Sequence, residues 1–445
     1  MATWQLPAEL SSWIASLALV LDARVAWRLQ PMLVGLLFAR GRRTISSWLR
    51  AIGVRRQYAD YYYFLGSLGR KCDSVAAVLW RLLAQQLPLG ERVLFALDDS
   101  PTKRYGPKIE GAGIHHNPTP GPADHKFLYG HVWVTLAVLV RHPRWGTIAL
   151  PLLARLYVRA KDVGLLRALY RWQFRTKLEL AAAMVEWLAK WLKYAGKSLW
   201  IVVDGAYAKR PFLLRAIAAG AVVVSRLRKD AALYSVPAPA KPGARRRGRP
   251  RKYGSERINL AKRAGHARGW QSETFFLYRR DVTIRFKTFL ATYPPAGGLI
   301  KVVLVKNEDG TWIAYFCTDA GASVAEILEA VADRSAIEQV FHDVKEVHGA
   351  AQPQLRNVWA NIAAWHLAMW LYTLVEVWAW NRPQSQLCDR RASPWDDPTR
   401  RPSHADRCKA LRRECLEKEF SRHAAIGRWK PKIRAFVRRL AARAA

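Results

Sequence analysis

The chain has 445 residues, with 72 Lys and Arg against 34 Asp and Glu, so a net charge of +38 sits on a sequence that is 51% hydrophobic. That apolar content excludes a disordered polycation, and a charge excess that costs self-repulsion in isolation calls for a polyanionic partner whose released counterions supply binding free energy. Nucleic acid is the first expectation, ahead of an anionic membrane surface or a ribosome.

Residues 1–90 carry helical periodicity broken by polar corners at Gly41–Thr44 and Gly53–Arg56, which predicts a helical N-terminal DNA-binding domain. The apolar stretch Trp13–Leu21 is interrupted by Asp22 and Arg24 and falls short of the roughly 20 residues of a membrane span, so no membrane partner is expected. Glu9 in front and the lack of a basic lead-in speak against a secretory signal. Thr44–Gly53 has an N-cap and basic flanks and reads either as a helix-turn-helix element docking on DNA or as a plain surface helix.

Val93–Leu97 is a short apolar run typical of a strand buried on both faces, and it surfaces in Asp98-Asp99-Ser100. His131–Val140 and Gly146–Val158 read as two further strands joined by the turn-prone Arg141–Arg144. A helix follows over Thr176–Tyr194, with Leu178, Ala182, Val185, Leu188 and Leu192 on one face. Ser198–Val203 is the next buried strand and surfaces in Asp204; Gly205, a helix toward Ala219 and a strand over Ala221–Ser225 complete the series. This is the order of a ribonuclease-H-like α/β core over residues 91–228. In such a core the first and fourth strands lie side by side, which predicts that Asp98 and Asp204 come together.

Residues 229–322 change to a basic, Pro- and Gly-rich loop followed by β-prone runs at Trp270–Leu277, Val282–Tyr293, Ile300–Val305 and Trp312–Cys317. They read as a β-rich inserted domain whose last two strands meet at the hairpin signal Asn307-Glu308-Asp309-Gly310. Trp270 and Trp312 are candidates for stacking on an unpaired base, though aromatic residues in strands are more often core. Helices resume over residues 323–382, and residues 383–445 form a basic helical tail. The cysteines Cys72, Cys317, Cys388, Cys408 and Cys415 are sparse and lack CxxC spacing, which points to a reducing, cytoplasmic setting. His404, Cys408 and Cys415 near Cys388 have poor spacing for zinc.

Phosphoryl transfer between DNA strands needs hard divalent cations, and these take carboxylate ligands. Asp98 and Asp204 each follow an apolar strand, where open α/β sheets place their ligand sites. A third carboxylate lies in Asp333–Lys345. At about 100° per residue, Glu338 and Lys345 fall within about 40° of Arg334 around the helix, so an acid lies between two cations on one face. Ile337, Val340, Val344 and Val347 make a separate apolar stripe that packs the helix on the sheet.

The spacing of Arg334, Glu338 and Lys345 resembles the signature of the DDE transposases of bacterial insertion sequences. Leu97-Asp98-Asp99-Ser100 is similar to that family's first-aspartate motif, Val202–Tyr207 to its second, and Val224–Asp230 to its following strand. The resemblance spans about residues 93–355, including a β insertion between the second aspartate and the glutamate. It departs from the family at Val331, where a tyrosine often precedes the arginine by three residues. It implies that Asp98 (or its neighbour Asp99), Asp204 and Glu338 are catalytic and hold two Mg2+ ions, for which Mn2+ may substitute. It also implies that Arg334 and Lys345 grip phosphates near the scissile bond, with Arg226 and Arg228 adding DNA contacts.

Gly243–Lys252 resembles a minor-groove hook in which Arg247 and Arg249 lie in a narrow, electronegative groove. The expected protein is a transposase that binds terminal inverted repeats and target DNA as a homodimer in a bacterial, nucleoid-associated setting. A hairpin intermediate is open. The rival expectations are an inert DNA-binding regulator derived from such an enzyme and a nuclease that hydrolyses without joining.

Overall fold

The apolar runs that surface in Asp98 and Asp204 form neighbouring parallel strands at the centre of one large sheet. In the computed structural model the described residues are 4–117, 125–238, 251–388, 390, 395–397, 399–423, 433, 436–437 and 440–441. The chain begins with helices α1 (Ala8–Ala18), α2 (Ala23–Ala26), α3 (Leu29–Phe38), α4 (Ile45–Ala51), α5 (Tyr58–Gly69) and α6 (Cys72–Gln86). Strands β1 (Arg92–Lys103), β2 (Gly113–His116), β3 (Phe127–His142) and β4 (Gly146–Tyr157) follow, then α7 (Ala160–Val163) and α8 (Lys177–Tyr194). Next come β5 (Ser198–Val203), α9 (Arg210–Ala218) and β6 (Val222–Leu227).

The five core strands run β4-β3-β1-β5-β6, with β1, β5 and β6 parallel and β3 antiparallel to β1. This is the expected ribonuclease-H-like arrangement. β1 differs from expectation in length. It continues through Asp98 and Asp99 to Lys103 because β3 keeps pairing with it (Asp98↔Thr135, Asp99↔Val134) after the parallel ladder to β5 has stopped at Leu97↔Val203. Apolar character ends where one neighbour ends, whereas the strand persists on the other neighbour's hydrogen bonds.

The insertion contains β7 (Leu233–Tyr234), β8 (Arg257–Ile258), α10 (Leu260–Gly265), β9 (Gln271–Leu277), β10 (Arg280–Tyr293), β11 (Gly298–Lys306) and β12 (Trp312–Cys317). Its strands match the expected runs, but they do not build a separate sheet. β12 pairs antiparallel with β6 from Ala314↔Leu227 to Cys317↔Val224, and β11 and β10 extend the same sheet outward. β12 thereby satisfies the row of backbone donors and acceptors that β6 would otherwise leave open at an edge.

The last described helices are α11 (Val324–Arg334), α12 (Ala336–Glu346), α13 (Val358–Ala379), α14 (Gln384–Leu387) and α15 (His404–His423). α13 is long and apolar enough to cross a membrane by length and composition, and it is buried inside the fold over nearly its whole length. α13 packs on β4 on one side and on α5 and α3 on the other, so the helices of residues 1–90 share one hydrophobic core with the sheet instead of standing apart. The contact is intimate at Gly69, where a Cβ would fall 2.0 Å from the Trp359 carbonyl oxygen. α4 is capped by Thr44 as expected, but its Ser47, Trp48 and Leu49 are buried against α3, leaving Ser46 and Arg50 outward. The proposed groove hook at Arg247 and Arg249 lies outside the described residues.

Candidate active site

Parallel pairing ends at Leu97↔Val203, so the next residues, Asp98 and Asp204, leave adjacent strands at the same level of the sheet. Neighbouring strands lie about 4.8 Å apart, which brings the two carboxylates within electrostatic reach. Asp204 starts a short 3-10 turn (Gly205–Tyr207), accepts a hydrogen bond from the Ala206 N–H at 3.4 Å and is exposed.

The third carboxylate arrives on α12, and Arg334 carries the connection. One guanidinium nitrogen donates to Asp98 Oδ2 at 2.7 Å and the other to Glu338 Oε1 at 3.0 Å. The expected single helix over Asp333–Lys345 is in fact broken at Ser335, where the backbone N–H and the hydroxyl both donate to the Ala332 carbonyl. Ser335 keeps right-handed helical angles and Arg334 bonds Glu338 one turn further on, so the shared face of Arg334 and Glu338 survives the break. Ile337, Val340 and Val344 are buried as expected.

The last turn of α11 is fixed from the opposite strand pair. Asp333 accepts from Arg141 at 3.1 Å and from the Thr147 hydroxyl at 2.5 Å, while Arg141 also pairs with Glu329 at 2.9 Å. These contacts anchor the residue before Arg334 to β3 and β4 and set where its guanidinium points.

Burial pushes the Asp98 carboxyl up to about 6, and the nearby charges of Asp99 and Asp204 push the same way. Arg334 and the Asp99 N–H, which donates to Asp98 Oδ1 at 2.8 Å, pull it down. Asp99 turns to the other face of β1, where Lys177 Nζ donates at 2.6 Å and the Tyr207 hydroxyl at 2.7 Å. Burial, followed by the Asp99 charge, holds the Tyr207 phenol well above its ordinary value, so it remains a donor. Asp98 therefore shares Arg334 with Glu338, whereas Asp99 is occupied by a cation and a phenol.

The remaining predicted residues divide. Lys345, on α12, lines a cleft of about 1,090 Å³ together with Arg42, Asp99, Lys103, Tyr105 and Gln352, and burial pushes its ammonium down to about 8. Arg226 is exposed on β6 and, like Arg334, lies within electrostatic reach of Tyr315 on β12. Arg228 is exposed and bonded through both ends of its guanidinium to Asp230 at 2.9 Å. Trp270 and Trp312 are only partly buried, and each lies under cations, Lys287 at 4.7 Å from the Trp270 ring and Lys229 at 5.3 Å from the Trp312 ring.

Sequence reasoning missed Lys177 and Tyr207. Tyr207 lies inside the Val202–Tyr207 motif, so a signal was present; Lys177 reaches Asp99 only through the fold. As for a metal, Asp98 and Glu338 share Arg334, and Asp204 lies within electrostatic reach of Asp98; these carboxylates offer an all-oxygen donor set, which is the chemistry that a hard divalent cation fits.

The strand order, and the carboxylates gathered where its central parallel strands end, define a ribonuclease-H-like nuclease core. The sequence profile of the DDE superfamily endonuclease family matches residues 20–284, more than half of the chain, and the protein belongs to that family. The matched span contains Asp98 and Asp204, while Glu338 lies beyond it. No curated protein matches the chain. Among solved structures, that of a piggyBac transposase synaptic complex with hairpin DNA, determined by cryo-EM, is similar over 92% of this chain and 84% of its own, with a TM-score of 0.38 and 10% identity.

Proposed function

We propose that this protein is a transposase that binds the ends of its own mobile element, frees 3′ hydroxyls there and uses them to attack target DNA. The observation that carries this reading is the Arg334 bridge, which ties the first carboxylate to a third one 240 residues further along the chain. Asp98, Asp204 and Glu338 would hold two divalent ions, Mg2+ or Mn2+, which when bound activate the attacking oxygen and stabilise the leaving one.

The protein's own groups do the rest. Arg334 keeps Asp98 ionised against the burial that raises it, and keeps Glu338 turned toward the sheet. Lys345, with Arg42 and Lys103 in the same cleft, offers positive charge to a phosphodiester backbone, which positions DNA without reading its sequence. Arg226 would add charge on the insertion side of the site, and the partly buried Trp270 and Trp312, each beneath a cation, would offer stacking surfaces to an unpaired base. DNA ends from two protomers would be paired in a homodimer, in a bacterial cytoplasm.

The test is a strand-transfer assay with DNA carrying the flanking element ends, a target duplex and Mg2+. Joined product supports the transposase. Cleavage without joining makes the protein a hydrolytic nuclease, and binding with neither makes it a regulator.

A further inference from the structure

A second group of metal-ligating side chains lies away from the carboxylates, where the C-terminal helix meets the segment after α12. His348 follows α12 directly, and His404 and Cys408 stand one turn apart at the start of α15. The two imidazole Nε2 atoms are 2.7 Å apart, and the Cys408 Sγ lies 3.4 Å from His404 Nε2. All three ligand atoms fall within 4.8 Å of one another, on residues with exposures of 2%, 3% and 0%.

We propose that His348, His404 and Cys408 form a structural zinc site that clamps α15 to the end of the helix carrying Glu338. Tetrahedral zinc, with bonds of about 2.0–2.1 Å to nitrogen and about 2.3 Å to sulfur, sets sulfur and nitrogen about 3.6 Å apart and two nitrogens about 3.3 Å apart. The Cys408–His404 spacing of 3.4 Å is close to this already, Cys408 and His348 lie within 4.8 Å, and the imidazoles have to part by about half an ångström. The proton between the two Nε2 atoms and the Cys408 thiol proton leave for solvent as the metal binds.

The surroundings are those of a ligating histidine. His404 Nδ1 donates to Glu376 Oε1 at 2.6 Å, which fixes the ring and leaves Nε2 for a metal. Arg407 pairs with the same carboxylate, and the Tyr372 ring stacks on His404 at 4.2 Å. A cavity of about 220 Å³ lined by Tyr372, Ser403, His404 and Arg407 lies beside His404, while His348 and Cys408 do not line it. A nitrogen and sulfur set selects zinc over the hard cations that the all-oxygen carboxylate cluster fits, so the two sites take different metals. Cys415 and Cys388, which the sequence placed beside His404 and Cys408, are not part of the group; His348 replaces them.

The experiment is elemental analysis of the full chain, purified without a polyhistidine tag or chelator, followed by Co2+ titration of the metal-stripped protein. About one zinc per chain is expected in the wild type, in Cys415→Ser and in Asp204→Ala, and loss of it in Cys408→Ser and His348→Ala. Cobalt should give a thiolate charge-transfer band in the wild type and none in Cys408→Ser. A wild-type protein that takes up neither zinc nor cobalt overturns the proposal and leaves a proton shared between the imidazoles. Zinc retained in both ligand variants overturns it as well.

Discussion

Asp98 and Asp99 are consecutive in β1 yet serve opposite faces of the sheet, Asp98 bonded to Arg334 at 2.7 Å and Asp99 to Lys177 at 2.6 Å. Side chains alternate along a strand, so only one of the two can join Asp204 and Glu338. Asp98→Asn is expected to abolish DNA cleavage. Asp99→Asn is expected to keep cleavage within about tenfold while lowering stability by about 1.5–3 kcal/mol through its charged hydrogen bonds. Cleavage rates and urea denaturation of the two variants, measured together, check this; equal loss of cleavage would leave the ligand unassigned to Asp98.

If DNA occupies the proposed cleft, Lys345 is expected to make its binding pH-dependent. Burial brings its ammonium down to about 8, so it is charged below that pH and neutral above it. DNA affinity of the wild type should therefore fall as pH rises through about 8, while Lys345→Arg should stay flat over the same range because guanidinium does not titrate there. The linkage to folding has the opposite sign. A lysine with a lowered folded value binds fewer protons in the folded than in the unfolded chain, so its contribution to stability is unfavourable below about 8 and recovers as pH rises above it. At fixed pH, Lys345→Ala should reduce the slope of log affinity against log salt by about 1. Binding titrations across pH and salt test both statements.

The packing of α5 on α13 predicts a contrast between two glycines of α5. At Gly69 an added Cβ meets the Trp359 carbonyl oxygen at 2.0 Å, whereas at Gly66 its nearest neighbour is Asn357 Oδ1 at 3.9 Å. Gly69→Ala should destabilise by about 1–3 kcal/mol as backbones are forced apart. Gly66→Ala should stabilise by roughly 0.5–1 kcal/mol by removing a flexible residue from a helix interior. Denaturant midpoints of the two variants decide it, and an unharmed Gly69→Ala would show that the N-terminal helices are not seated on α13.

Much of this was legible in the sequence because the core strands are buried on both faces and read as unbroken apolar runs. Val93–Leu97 and Ser198–Val203 announced β1 and β5, and their order announced the neighbours that bring Asp98 and Asp204 together. Four features were not legible. β1 runs on to Lys103 on β3's hydrogen bonds, which apolarity does not report. β12 joins β6, a choice of edge that no local pattern encodes, so the insertion read as a separate domain. Lys177 and His348 gain their roles from contacts distant in sequence, and Ser335 breaks a helix whose face pattern runs straight through it.

The central claim is that Asp98, Asp204 and Glu338 act as one metal-holding set. Glu338 tests it most directly, because it is exposed at the surface of α12 and its loss should leave the fold intact. The measurement is cleavage of DNA carrying the element ends, with Mg2+ or Mn2+, by wild type and Glu338→Gln, with DNA binding followed in parallel. Metal-dependent cutting by the wild type, absent in Glu338→Gln while binding persists, is the predicted result. Cutting by Glu338→Gln at the wild-type rate would contradict the three-carboxylate account.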